Sequence, residues 1–114
     1  MGYSVEFKRA IAIASISQLI LGRRDLDSAT RHVVGRIGHL VFVTLEGERK
    51  IKALRDYRDR VLNITEGKVL PPRLSIARFH YDNCLKWIAE KNMNPEESAE
   101  LLMVALLSAD NKAL

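Results

Sequence analysis

The sequence predicts an all-α fold, with four or five helices bundled around a long central helix or helix pair at residues 26–64. Three observations carry that prediction. The first is spacing. Alternating steps of four and three from Val33 visit Ile37, Leu40, Thr44, Gly47, Ile51, Leu54, Arg58 and Val61. Six of these nine positions are apolar and none is acidic. Apolar residues that return about every 3.5 positions mark one face of a helix. The second is composition. With 6 glycines and 3 prolines in 114 residues, helix breakers are scarce, while Ala, Leu, Arg and Lys are plentiful. The third is punctuation. Gly22, Gly67 with Pro71-Pro72, and Asn94-Pro95 divide the chain into helix-length pieces.

The pieces follow in order. Tyr3 to Leu21 reads as a first helix with Ser4 as N-cap. Its apolar residues run nearly all the way round from Ala10, so it should be heavily buried, with Val5, Ile13, Ile16, Leu19 and Ile20 towards the core. Gly22 is placed to end it with a left-handed backbone, which costs glycine little. Asp25, Asp27 and Ser28 suit the positive end of a second helix, running through Val33 and Ile37 to about Leu45. Gly35 and Gly38 lie inside it, and the expected return for their low helix propensity is close approach of another backbone. The run Leu40–Leu45 is rich in β-branched residues. A β-hairpin over residues 40–53, turning at Glu46-Gly47, is the alternative reading there.

Glu48 to Ile64 reads as a third helix, with Glu48–Lys52 and Asp56–Arg60 as i,i+4 pairs and Ile51, Leu54, Val61 and Leu62 facing inward. A fourth is expected over Leu74–Asn92, with Leu74, Ala77, Tyr81, Leu85 and Ile88 as its stripe and Trp87 near the edge. Asn94, Pro95 and Glu97 have the spacing of an N-cap, an N1 proline and a capping-box acid. The apolar run that follows exceeds what a free surface helix needs.

The size predicts one domain, residues 1–114, with 47% hydrophobic residues for one modest core. The single cysteine, Cys84, forbids an internal disulfide and suits a reducing compartment. The first residues lack a signal-peptide pattern, and Gly2 lacks the Ser or Thr of a myristoylation site. The most apolar run, Ala10–Leu21, is 12 residues long and contains Ser15, Ser17 and Gln18, too short and too polar to span a bilayer. A cytoplasmic protein with no membrane partner is the expectation. The net charge is +4, divided into +7 over residues 1–94 and −3 over residues 95–114. Such a dipole steers anionic partners or brings opposite ends of two copies together.

Side-chain constellations are weak. His32, Arg36 and His39 share a helical face where an anion could sit, against the plainer reading of a solvated basic face. His80 and Cys84 are four apart, the spacing that begins a zinc site, but no second ligand pair exists. A small buried thiol near a surface histidine is the plainer reading. Asp56 to Arg60 reads as a solvated face of alternating charge, and Asn63-Ile64-Thr65 matches a glycosylation sequon. Gly35-Arg36-Ile37-Gly38 has neither the third glycine nor the preceding strand of a phosphate loop. A helix-turn-helix over the last two helices would place Glu96, Glu97 and Glu100 against phosphate, which excludes a reader there.

No catalytic, metal or cofactor motif emerges. The leading expectation is a non-enzymatic interaction module that self-associates through Leu101, Leu102, Val104, Ala105 and Leu106 and binds a macromolecular partner. The alternative is a nucleic-acid-binding regulator that uses Arg23, Arg24, Arg31, His32, Arg36, His39, Lys50, Lys52 and Arg55 as one basic surface.

Overall fold

The computed structural model describes residues 3–62 and 69–112, with residues 111 and 112 in backbone only. Among these, the chain forms five α-helices and no strand: α1 (Val5–Leu21), α2 (Leu26–Val41), α3 (Glu48–Leu62), α4 (Pro72–Ala89) and α5 (Pro95–Lys112). The all-α bundle is therefore present, and the hairpin alternative over residues 40–53 is not. The third helix's expected end at Ile64 and the sequon at 63–65 lie outside the described residues.

The centre of the bundle is α1, not the helix pair at 26–64. Every other helix packs on α1, most extensively α4 and α5. The reason is visible in its residues. Ala10, Ile11, Ala12, Ile13, Ala14, Ser15 and Ile16 are consecutive and all buried. Seven consecutive residues cover every face of a helix, so α1 must be surrounded. Its alanines let neighbours come close, and Ser15 satisfies its hydroxyl on the Ile11 carbonyl at 2.8 Å. By contrast α2 and α3 are one-sided. Ala29, Val33, Ile37 and Val41 bury one face of α2, and Leu54, Tyr57 and Val61 bury one face of α3. The seam that starts at Val33 is real, but it describes two outer helices leaning on the core.

Helix ends follow local chemistry in part. Ser4 caps α1 by accepting from the Phe7 N–H at 3.1 Å, and Asp25 caps α2 by accepting from Ser28 at 2.7 Å. Asn94 accepts from the Glu97 N–H at 2.9 Å, as its spacing predicts, with Pro95 as the first residue of α5. The end of α1 differs from expectation. Gly22 has φ −78, and the left-handed residue is Arg23 at φ 77. Arg24 N–H bonds the Leu19 carbonyl and Arg23 N–H the Ile20 carbonyl, which is the Schellman arrangement shifted by one residue. Val5, expected to face the core, is 51% exposed.

The second helix stops at Val41, four residues before its expected end. Phe42 leaves helical geometry at φ −132, and its ring lies under the Arg9 guanidinium at 4.2 Å and edge-on to Tyr57. The same Arg9 donates through Nε to the Val41 carbonyl at 3.3 Å. An orphan carbonyl at the helix end is thus satisfied from another helix. Tyr57 is buried in this cluster, which corrects its reading as part of a solvated charged face.

The interior glycines part company. Gly35 is exposed, with nothing within 4 Å of where a Cβ would stand, so no backbone approaches it. Gly38 is buried, and a Cβ there would meet Val34 Cγ1 at 2.9 Å and the Lys50 stem at 3.5 Å. Only Gly38 serves close packing, and its neighbour across the interface is a side chain of α3.

Candidate interaction surface

The core cluster draws on all five helices, yet one side of the bundle leaves apolar surface uncovered. Between α1, α4 and α5 runs a groove of about 250 Å³. Phe7 and Ile11 of α1, His80, Cys84 and Trp87 of α4, and Leu102 and Ala105 of α5 line it, with Asn83 as the other polar member. Rings continue from it along the surface. Tyr3 meets Phe7 at a tilt with centroids 4.6 Å apart, Phe7 meets His80 edge-on at 5.1 Å, and His80 meets Phe79 at 5.7 Å. At the other end the Lys91 ammonium lies 5.0 Å from the Trp87 ring.

Exposure of large apolar residues on α4 and α5 is high. Phe79 is 62% exposed, Ile76 49%, Val104 42% and Trp87 38%. Scattered exposed apolar residues are ordinary, but Phe79 and Trp87 adjoin a concave apolar groove, which is the form of a contact surface. The cause lies in α4, whose apolar residues occupy more than one face. Ala77, Tyr81, Cys84 and Ile88 turn inward, which leaves Ile76, Phe79 and Trp87 outside.

His80 and Cys84 do share a face, and both line the groove. Burial pushes the Cys84 thiol up to about 11, so it stays protonated at neutral pH. No cluster of three or more His, Cys, Asp or Glu side chains able to hold a metal occurs among the described residues.

The residues expected to drive self-association divide. Leu102 and Leu106 are 2% and 1% exposed and belong to the core, packed with Met103 and Ala99. Leu101 is half-buried, and Val104 and Ala105 are exposed. The apolar excess of α5 is therefore mostly consumed within the chain, because α1 presents apolar side chains all round.

The expected basic surface is largely closed by carboxylates. Arg31 bonds Glu48 through two nitrogens at 2.7 and 3.0 Å and Asp27 at 2.9 Å. Arg24 pairs with Glu96 at 3.1 Å, Arg36 with Glu100, Lys52 with Asp56 at 2.9 Å and Arg55 with Asp27 at 3.5 Å. Thus Glu48 reaches across to α2 in place of Lys52, and Asp56 takes Lys52 in place of Arg60. The hydrogen bond from Arg31 holds the Glu48 carboxyl below its usual range, and the one from Lys52 does the same for Asp56. Arg23 and His39 are exposed, His32 is half-buried, and Lys50 is half-buried with its stem against Gly38. Two acids of α5 are spent on Arg24 and Arg36, so the charge dipole of the sequence is partly discharged inside the molecule.

Sequence reasoning missed the groove because its parts are far apart in the chain. Trp87 at the edge of a stripe and the aromatic pair Phe79-His80 were the available signals. No helix is long and apolar enough to cross a membrane among the described residues. Comparison with known proteins adds no relative: no family model matches the chain, and neither the curated proteins nor the solved structures yield a significant match.

Proposed function

We propose that this protein is a non-enzymatic helical interaction module that self-associates through the α1–α4–α5 groove, in a reducing compartment such as the cytoplasm. The observation that carries the reading is the run of rings Tyr3, Phe7, His80 and Phe79 that continues into the apolar groove with Trp87. The occupant we assign is a second copy of the chain. One helix, α4, supplies both a wall of the groove, at Cys84 and Trp87, and a protruding apolar edge, at Ile76 and Phe79. In a two-fold arrangement each copy's edge can meet the other copy's groove, the self-complementarity that a symmetric dimer requires. Trp and large apolar side chains at the centre of such a contact carry most of its energy.

Sedimentation of the purified chain over a range of concentrations tests this. A dimer is expected, and Phe79→Glu and Trp87→Ala should each shift it to monomer with the helical circular dichroism spectrum unchanged. Val43→Glu, at a 77% exposed apolar residue of the α2–α3 connection, should leave the dimer intact. A monomer at every concentration up to high micromolar would overturn the proposal. So would a Phe79→Glu variant that dimerises like the parent.

A nucleic-acid role has less to draw on. Five of its nine proposed residues, Arg24, Arg31, Arg36, Lys52 and Arg55, already sit in ion pairs. Phosphate would have to displace those carboxylates to gain a contact.

A further inference from the structure

We propose that a second, separate cleft, between the start of α1, the end of α3 and the start of α4, binds a phosphate monoester. It encloses about 640 Å³ and is lined by Arg9, Arg60 and Arg73, with Glu6, Tyr57 and apolar walls from Val5 and Leu74. Among the described residues that line it, three arginines are set against one carboxylate. On the α2–α3 surface the arginines are closed by acids of the same and the facing helix, Arg31 by Asp27 and Glu48 and Arg55 by Asp27.

Arg9 is already placed. Its Nε bond to the Val41 carbonyl and its stacking over Phe42 and Tyr57, at 4.2 and 5.3 Å, fix the plane of its guanidinium. A fixed guanidinium loses little freedom when its remaining N–H groups take an anion, which favours planar recognition of phosphate or carboxylate oxygens. Arg60 and Arg73 come from two different helices, and with Arg9 and Glu6 they give the described lining a net charge of +2. That charge matches a dianion better than a monocarboxylate. The field around the cleft is reinforced at the start of α4, where Pro71 provides no side-chain cap and the first turn holds no acid. Val5 and Leu74 give the cleft apolar walls, so a monoester with a small apolar group should bind more tightly than inorganic phosphate.

The two probes are inorganic phosphate and phenyl phosphate, titrated into the full chain at constant ionic strength and followed by amide nuclear magnetic resonance. Shifts are expected at Arg9, Tyr57, Arg60, Arg73 and Leu74, with phenyl phosphate the tighter ligand. The double variant Arg60→Gln, Arg73→Gln should bind at least about tenfold more weakly, since charge-assisted bonds to phosphate are lost. Both residues are exposed, so the variant should fold; its unchanged amide spectrum elsewhere will show it. Arg23→Gln, at an exposed arginine outside the cleft, should bind like the parent. Unaltered affinity in the double variant overturns the proposal. Shifts spread evenly over surface arginines outside the cleft, or no shift at either probe up to about 20 mM, which is weaker than any specific site of use, also overturn it. Inorganic phosphate binding more tightly than phenyl phosphate would overturn the assignment of a monoester.

Discussion

The two sides of this bundle are built on different physics. Around α1, with α4 and α5, stability comes from apolar burial on every face of one helix. Ile13, Ile16, Leu19, Leu102, Met103 and Leu106 are all at or below 2% exposure there. Along α2 and α3 each helix buries a single stripe, and the outer faces are stitched by Arg31 to Glu48 and Asp27, Arg55 to Asp27, and Lys52 to Asp56. Exposed ion pairs contribute little each, because water already solvates both partners and salt screens them. The contrast teaches that the charge-rich half, which dominates the sequence to the eye, rests on the quieter apolar half.

The sharpest way to break this contrast is to cut both halves alike. Ile13→Ala should cost about 4 kcal/mol, because a fully enclosed site cannot collapse around the lost atoms. Ile51→Ala, at a half-buried position on α3, should cost nearer 2 kcal/mol, because water reaches part of the site and the lost atoms were only partly enclosed. Urea unfolding of both variants measures it, and equal losses would remove the distinction between centre and edge.

Next in size are the interior glycines of α2. Gly38→Leu should destabilise by roughly 1–3 kcal/mol through overpacking against Val34 and the Lys50 stem. Gly35→Ala should instead stabilise by up to about 1 kcal/mol, since open solvent surrounds the new methyl and glycine is the poorer helix former. Thermal unfolding that moves both variants in the same direction would contradict the assigned environments.

Arg23→Gly should stabilise by about 1 kcal/mol, because glycine adopts φ 77 without the steric cost of a Cβ. A loss of stability would mean that the Arg23 side chain does more than occupy the turn.

The smallest effect is expected at the stitching. The folded chain holds the carboxyls of Glu48 and Asp56 below their ordinary range, so each contributes stability above the unfolded value, near pH 4 for such groups. That contribution is lost as pH falls through the lowered folded value. Glu48→Gln should flatten the acid limb of a stability-against-pH curve slightly and reduce its salt sensitivity. An effect as large as that of Ile13→Ala would show that the ion pairs hold the molecule together.

Local signals survive into the structure where the chemistry is local. Ser4, Asp25 and Asn94 cap helices because each needs an N–H three residues away. The period of Val33, Ile37, Leu54 and Val61 correctly marks buried faces. It misplaced the centre, because a clean stripe is strongest on a helix that has one wet side. The true centre, α1, has no wet side over Ala10–Ile16 and so little periodicity. Its uniform apolarity was legible as burial but not as rank. The groove and the arginine cleft were illegible, since each joins residues from three helices.

By itself, the sequence determined that this chain is helical, where most helices begin, and that its first helix is buried. Those outcomes depend on propensity, capping and composition within one turn or one helix. Only the tertiary structure decided that α2 ends at Val41. Nothing near Leu40–Leu45 stops a helix outright; Arg9 takes the Val41 carbonyl and Phe42 turns out to lie beneath the same guanidinium. It likewise decided that Leu102 and Leu106 are core rather than surface, since the apolar face they needed was supplied by α1. Pairings between distant segments follow from which faces the bundle brings together, and that is a property of the whole packing and not of any one stretch of chain.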